Sequence, residues 1–159
     1  MLSICVGPSS IRRMREYVCS FLFTPDRTRV VLIRKNRPAW QAGKLNGVGG
    51  KIEPGETPRH AARREFREET GLDLPESAFE HVLTLRGKDD FGSGEPWAGH
   101  FFRAFGDVAA ARSMTDEPIE IHPVRPWPND TIPNLRWMIE LMLDDEVVGG
   151  FYDVEVRPE

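Results

Sequence analysis

The chain has little cysteine: two residues in 159, Cys5 and Cys19. A disulfide framework needs more. Cys5 lies in an expected arm and Cys19 in an expected strand, so both read as reduced thiols, as in a cytosol. Long apolar runs are also missing. None approaches the ~20 residues that span a bilayer, so no membrane segment is expected. The N-terminus lacks the basic-then-apolar order of a secretory leader. Excess positive charge is absent too: the net charge is −4. That balance gives no general reason to bind nucleic acid. There are no internal repeats. These absences leave one ordinary globular domain in the cytoplasm, monomer or homodimer, since 159 residues suit one core and are short for two. Residues 1–15 read as a flexible extension and 16–159 as the domain. Met14 is a possible alternative start.

What the chain does have is charge packed into one segment, Gly50 to Leu72. Thr57 suits an N-cap, and Pro58 suits the first helical position, where no amide hydrogen is needed. Ala61 to Glu69 are mostly good helix formers, and Gly71 supplies the stop. Ala62 and Phe66 anchor the helix to a sheet, with Arg63 and Arg67 on the solvent side. Glu65, Glu68 and Glu69 then fall at offsets 0, 3 and 4, within an arc of roughly 100°. Three carboxylates that close repel, which helix stability does not favour. A bound divalent cation removes the conflict. Clustered carboxylates select hard cations, Mg²⁺ or Mn²⁺. The competing reading is a solvated helix with ordinary Arg–Glu pairs.

The remaining pattern predicts strands at 17–23, 29–34, 48–52, 79–86, 100–105, 119–124 and 151–156. A polar loop is expected over 35–46. A loop over 87–99 holds Asp89, Asp90, Phe91 and Trp97. Asn134 is expected to cap a second helix, about 135–144, with Trp137, Ile139, Leu141, Met142 and Leu143 as its apolar residues. That order argues for the α/β class, a mixed sheet covered by helices.

The spacing G-x5-E-x7-R-E-x-x-E-E-x-G, filled by Gly50, Glu56, Arg64, Glu65, Glu68, Glu69 and Gly71, resembles the signature of the Nudix hydrolases. Phe66 and Leu72 fill its apolar positions. The resemblance implies an α/β/α sandwich and a metal-dependent phosphoanhydride hydrolase. Carried over, Glu65, Glu68 and Glu69 match the metal carboxylates, and the Gly49 carbonyl matches a backbone metal ligand. Glu65 or Glu69 would be the general base; both stand. Arg64 would orient Glu56 and the metal carboxylates, which makes Glu56, like Gly50 and Gly71, structural. A later acidic ligand is sought in Glu117, with Asp116 and Glu120 as rivals and a plain exposed acid as the alternative. Lys51 is a candidate phosphate contact or a solvated lysine. Arg34, Lys35 and Arg37 form a basic run that would attract polyphosphate or merely end a strand. His60, His81, His100 and His122 are scattered and read as structural.

Asn46 to Lys51 resembles the approach to the motif in MutT-type nucleoside triphosphate pyrophosphatases, including those that sanitise oxidised dGTP. Asn134 matches the place of a purine-reading Asn, or is simply a cap. Trp127 opens a segment resembling the Trp-Pro-acid-acid of animal members, from which Asn129 departs. Trp127, Trp97 and Phe91 are stacking candidates. Three functions compete: cleavage of nucleoside triphosphates to monophosphate and pyrophosphate, with 8-oxo-dGTP among the substrates; hydrolysis of ADP-ribose or another diphosphate-linked nucleotide; and a silent nucleotide-binding module. The Pro associated with ADP-ribose hydrolases, about sixteen residues past the motif's last Gly, is replaced by Gly87.

Overall fold

The computed structural model describes residues 14–88, 94–146 and 152–156. β1 (Arg15–Phe23) is apolar on both faces from Tyr17 onward, Ser20 apart, and joins β2 (Arg29–Arg34) through the turn at Pro25-Asp26. β3 (Leu45–Asn46) and β4 (Val48–Lys51) lead into α1 (Pro58–Thr70). β5 (Glu80–Gly87) and β6 (Trp97–Phe105) follow, then β7 (Ile119–Pro123), α2 (Leu135–Leu143) and β8 (Tyr152–Val156). One eight-stranded mixed sheet results, with the path β3-β2-β1-β6-β5-β8. β4 pairs with β1, and β7 with β2. The pairs β1–β6 and β5–β8 are parallel.

Period-two alternation divides the apolar residues between two faces. Val18, Leu22, Val31, Ile33, Phe102 and Ala104 pack with Ala61, Ala62 and Phe66 of α1. Phe21, Phe23, Val30, Leu32, Leu83, Leu85 and Phe101 pack with Leu135, Met138, Ile139 and Met142 of α2. A sheet buried on both faces needs a helical layer on each, which is the expected α/β/α sandwich.

The structure corrects several local expectations. Trp97 lies in β6 rather than in a loop. Gly87 makes room for it: a Cβ there would lie 2.1 Å from the indole nitrogen. The small residues Ala98 and Gly99 hid the strand's pattern. Leu45 and Asn46 form a short strand inside the expected loop. Asn134 does not cap α2 with its side chain. Its backbone is already helical, at φ −69° and ψ −19°, and its side chain makes no capping bond. Trp137 is 44% exposed and adds nothing to the core. Asp89, Asp90, Phe91 and Phe151 lie outside the described residues.

Candidate active site

The site is built where α1 crosses β4. Thr57 Oγ1 accepts the His60 amide at 3.1 Å and starts α1. Pro58 follows at the first turn, and Gly71 ends the helix at φ 74° with its N–H on the Arg67 carbonyl. Only glycine takes that left-handed φ at no cost. The last carbonyls of α1 find partners in the next loop: Glu69 O accepts the Met114 amide at 3.2 Å and Thr70 O the Arg112 amide at 2.9 Å. These bonds hang the segment that carries Glu117 on the end of the helix that carries Glu69.

Gly50 lets the helix carboxylate approach the strand. A Cβ there would lie 2.5 Å from Glu65 Cδ and 2.6 Å from each carboxylate oxygen. At Gly49 the intruded atom is backbone: a Cβ would lie 1.9 Å from the Val18 carbonyl oxygen.

Arg64 ties the acidic groups together. Its Nε and Nη2 donate to the two Glu56 oxygens at 2.7 and 2.9 Å. Its Nη1 donates to Glu65 Oε1 at 2.7 Å and to Glu68 Oε2 at 3.4 Å, and Nη2 also reaches the Lys51 carbonyl at 3.1 Å. The guanidinium holds the Glu56 carboxyl at about 2, well below the usual carboxylate range. Glu65 is raised by burial, with Arg64 opposing. Glu69 is pushed up by burial to about 7; Lys35 opposes the rise and Glu65, Glu117 and Glu68 add to it. One Glu69 oxygen, Oε2, is buried with no hydrogen-bond partner.

Glu117 is buried in an ion pair with Lys35, the side chains being 4% and 14% exposed. Its Oε1 accepts the Asn36 amide at 2.7 Å and the Arg37 amide at 3.3 Å. Burial opposes its ionisation, yet Lys35 and these amides hold it below the usual range. The rivals are engaged elsewhere: Asp116 with Arg37 at 2.7 Å, and Glu120 with Arg34 and with His122 at 2.8 Å. The basic run is therefore not an open polyphosphate trap, since each of its cations has an acidic partner. Lys35 beside Glu69 is the group that sequence reasoning undervalued. Its signal was parity: Val31 and Ile33 face α1, and Lys35 is next in that row.

Among the described residues, no three His, Cys, Asp or Glu side chains form a group closed around one metal position. Arg64 holds Glu65, Lys35 holds Glu117, and Glu68 is 52% exposed. Lys51 is exposed at the end of β4, paired with Tyr17. On the other face of the sheet, Trp127 Nε1 donates to Thr131 Oγ1 at 3.1 Å, and its ring packs against the α2 core with Trp97. Asn134 Oδ1, at the head of α2, is buried without a partner.

The NUDIX domain model matches residues 14–139. The chain belongs to the Nudix hydrolases. It is 38% identical over 127 residues to the oxidized purine nucleoside triphosphate hydrolase of Danio rerio, covering 78% of each chain. A 47-residue stretch, 30% of this chain and 36% of the other, is 43% identical to the 8-oxo-dGTP diphosphatase of Escherichia coli. Among solved structures, the MutT NUDIX hydrolase from Burkholderia pseudomallei matches with a TM-score of 0.67 at 21% identity, over 81% of this chain and 98% of that one. The NUDIX domain of Shewanella oneidensis NrtR, complexed with ADP ribose, matches with a TM-score of 0.66 at 18% identity, over 85% and 90%. At those identities the structural matches establish the fold. Nudix hydrolases generally use divalent metals. No helix among the described residues is long and apolar enough to cross a membrane.

Proposed function

We propose that this Nudix hydrolase cleaves purine nucleoside triphosphates, oxidised dGTP among them, to monophosphate and pyrophosphate. The observation that carries the reading is the Asn134 amide oxygen, buried and unpartnered at the head of α2. A buried acceptor without a donor costs about 1–3 kcal/mol, and a purine edge bearing an N–H would satisfy it. Trp127, on the same face of the sheet, offers a stacking surface. The names of the Danio rerio and Escherichia coli relatives support the same substrate class.

The donor set fits Mg²⁺ or Mn²⁺. The groups proposed to hold it are Glu65, Glu68, Glu69 and the Gly49 carbonyl, with Glu117 joining if Lys35 yields one of its oxygens. The orphaned Glu69 Oε2 and the close approach of Glu65 to Gly50 support that fit. When bound, the ion neutralises phosphate oxygens and lowers the pKa of water. The protein's own work is positioning. Arg64 holds Glu56 and Glu65 in fixed relation to β4. Glu69 is preferred over Glu65 as the base, because Glu65 already accepts from Arg64 and burial raises Glu69 to about 7, nearer the working pH of a base. Lys51 supplies a mobile positive charge for the phosphate chain.

Asn134→Ala tests the reading against a panel of dGTP, 8-oxo-dGTP, dATP, dCTP, dTTP and ADP-ribose. The expected result is preference for purine triphosphates in the parent, lost in the variant mainly through KM. Efficient cleavage of ADP-ribose by the parent, or unchanged preference in the variant, would overturn it.

A further inference from the structure

The turn between β1 and β2 holds a residue in an unusual conformation. Arg27 has φ 62°, the one non-glycine residue with positive φ among those described. Such a position usually belongs to Gly, Asn or Asp, because a larger side chain's Cβ crowds the neighbouring carbonyl oxygen. The side chain accounts for its presence. Arg27 Nη1 donates to the Leu143 carbonyl at 2.6 Å, and Nη2 donates to both Asp145 oxygens at 2.7 and 2.6 Å. Arg103, from β6, joins from the sheet. Its Nη1 donates to the Met142 carbonyl at 3.0 Å and its Nη2 to Asp145 at 3.1 Å. Glu80 accepts its Nε at 2.7 Å. The two guanidinium carbons lie 5.3 and 5.1 Å from the Phe105 ring centroid.

These groups grip the C-terminal end of α2. Two cations meet carbonyls that the helix leaves unpaired, where its dipole is negative. The grip supplies what the apolar face of α2 does not. Burial of Leu135, Met138, Ile139 and Met142 gives adhesion, but apolar burial is non-directional and methionine is adaptable. Register along the sheet needs directional bonds. The Asn134 side chain offers none; at that end the tie to the sheet is the Ile132 N–H on the Leu45 carbonyl of β3 at 3.0 Å. The Arg125–Glu140 pair is largely exposed, at 70% and 58%, and adds little. A helix of nine residues is about 13 Å long and rigid, so the grip at Met142 and Leu143 and the Ile132–Leu45 bond at the other end together set where Asn134 stands.

We infer that Arg27 and Arg103 are positioning residues for nucleobase selection, acting through α2 on Asn134; this rests on the reading of Asn134 as the base contact. The strained turn is kept because it aims one guanidinium at the helix end, and the buried Arg103 fixes the other. Displacing Asn134 by a fraction of an ångström would weaken a hydrogen bond to the base while leaving the carboxylates on the opposite face of the sheet untouched.

The test is Arg27→Gly, which removes the grip and relieves the positive φ, with Asp145→Ala as an independent variant at a side chain 62% exposed. The readouts are the kcat/KM ratio of dGTP to dCTP, and turnover of deoxyribose 5-triphosphate lacking a base. The expected result is a selectivity loss of at least fivefold carried by KM, with kcat on the base-free triphosphate within twofold. Arg27→Lys should recover part of the selectivity. A ratio within twofold of the parent in both variants would overturn the proposal, as would an equal loss on the base-free substrate. Asn134→Ala separates the two readings. Selectivity lost there but kept in Arg27→Gly and Asp145→Ala removes the grip and keeps Asn134. Selectivity lost in the grip variants alone removes Asn134 as the reader and overturns the proposal with it.

Discussion

Replacing Gly50 with alanine should separate the fold from the chemistry. The added Cβ would lie 2.5 Å from Glu65 Cδ and 2.6 Å from each of its oxygens, against ordinary contacts of about 3.5–4.0 Å. Gly50 is not at positive φ, so alanine fits the backbone of β4. The atoms in the way are the far end of a flexible side chain, which can swing aside. Stability should therefore change little: alanine lowers the entropy of the unfolded chain by an amount worth about 0.4–1 kcal/mol, and loss of the Arg64–Glu65 bond offsets it. Glu65 would leave its place by an ångström or more. Misplacement on that scale costs on the order of 100-fold in rate, or ~2.7 kcal/mol. Gly49→Ala is the contrast, because its Cβ meets the Val18 carbonyl at 1.9 Å. There the strands themselves must part, and the unfolding midpoint should fall by many degrees. The assay is kcat on dGTP with saturating Mg²⁺, beside thermal unfolding. A Gly50→Ala enzyme with parental kcat would refute the reasoning that the Glu65 carboxylate must lie against β4.

Glu68→Gln should fold normally, since the side chain is 52% exposed, and should lose at least tenfold in kcat, ~1.4 kcal/mol; near-parental turnover at saturating Mg²⁺ would remove Glu68 from the mechanism. The Glu56–Arg64 pair should show itself in acid. Its carboxyl is lowered from 4.5 to about 2, so its contribution to stability is complete above about pH 4.5 and is lost as pH falls towards 2. Glu56→Gln should cost about 2 kcal/mol at pH 7 by leaving the guanidinium half satisfied. Denaturant melts should show that gap closing between pH 5 and 2; a constant gap would contradict the pairing.

The motif helix was legible because its signals are local. Thr57, Pro58 and Gly71 act within one turn of themselves, and Glu65, Glu68 and Glu69 share a face by helical geometry alone. The strand signals held where alternation was clean, as in Arg29 to Arg34. They failed at Trp97, where Ala98 and Gly99 carry no pattern and the strand exists because β1 and β5 flank it. Asn134 misled because an Asn before a helical pattern reads as a cap. Tertiary placement instead buries its oxygen and starts the helical backbone one residue early. Lys35 and Glu117 are 82 positions apart, and their meeting depends on β7 lying against β2. No local rule reports it. The grip on α2 is of the same kind, joining Arg27, Arg103 and Asp145 from three parts of the chain.

The most direct measurement is product identity from dGTP and 8-oxo-dGTP with Mg²⁺, read by mass spectrometry in ¹⁸O-labelled water. The expected products are the nucleoside monophosphate and pyrophosphate, with one ¹⁸O atom incorporated per turnover. Nucleoside diphosphate and orthophosphate as products, or turnover confined to ADP-ribose, would contradict it.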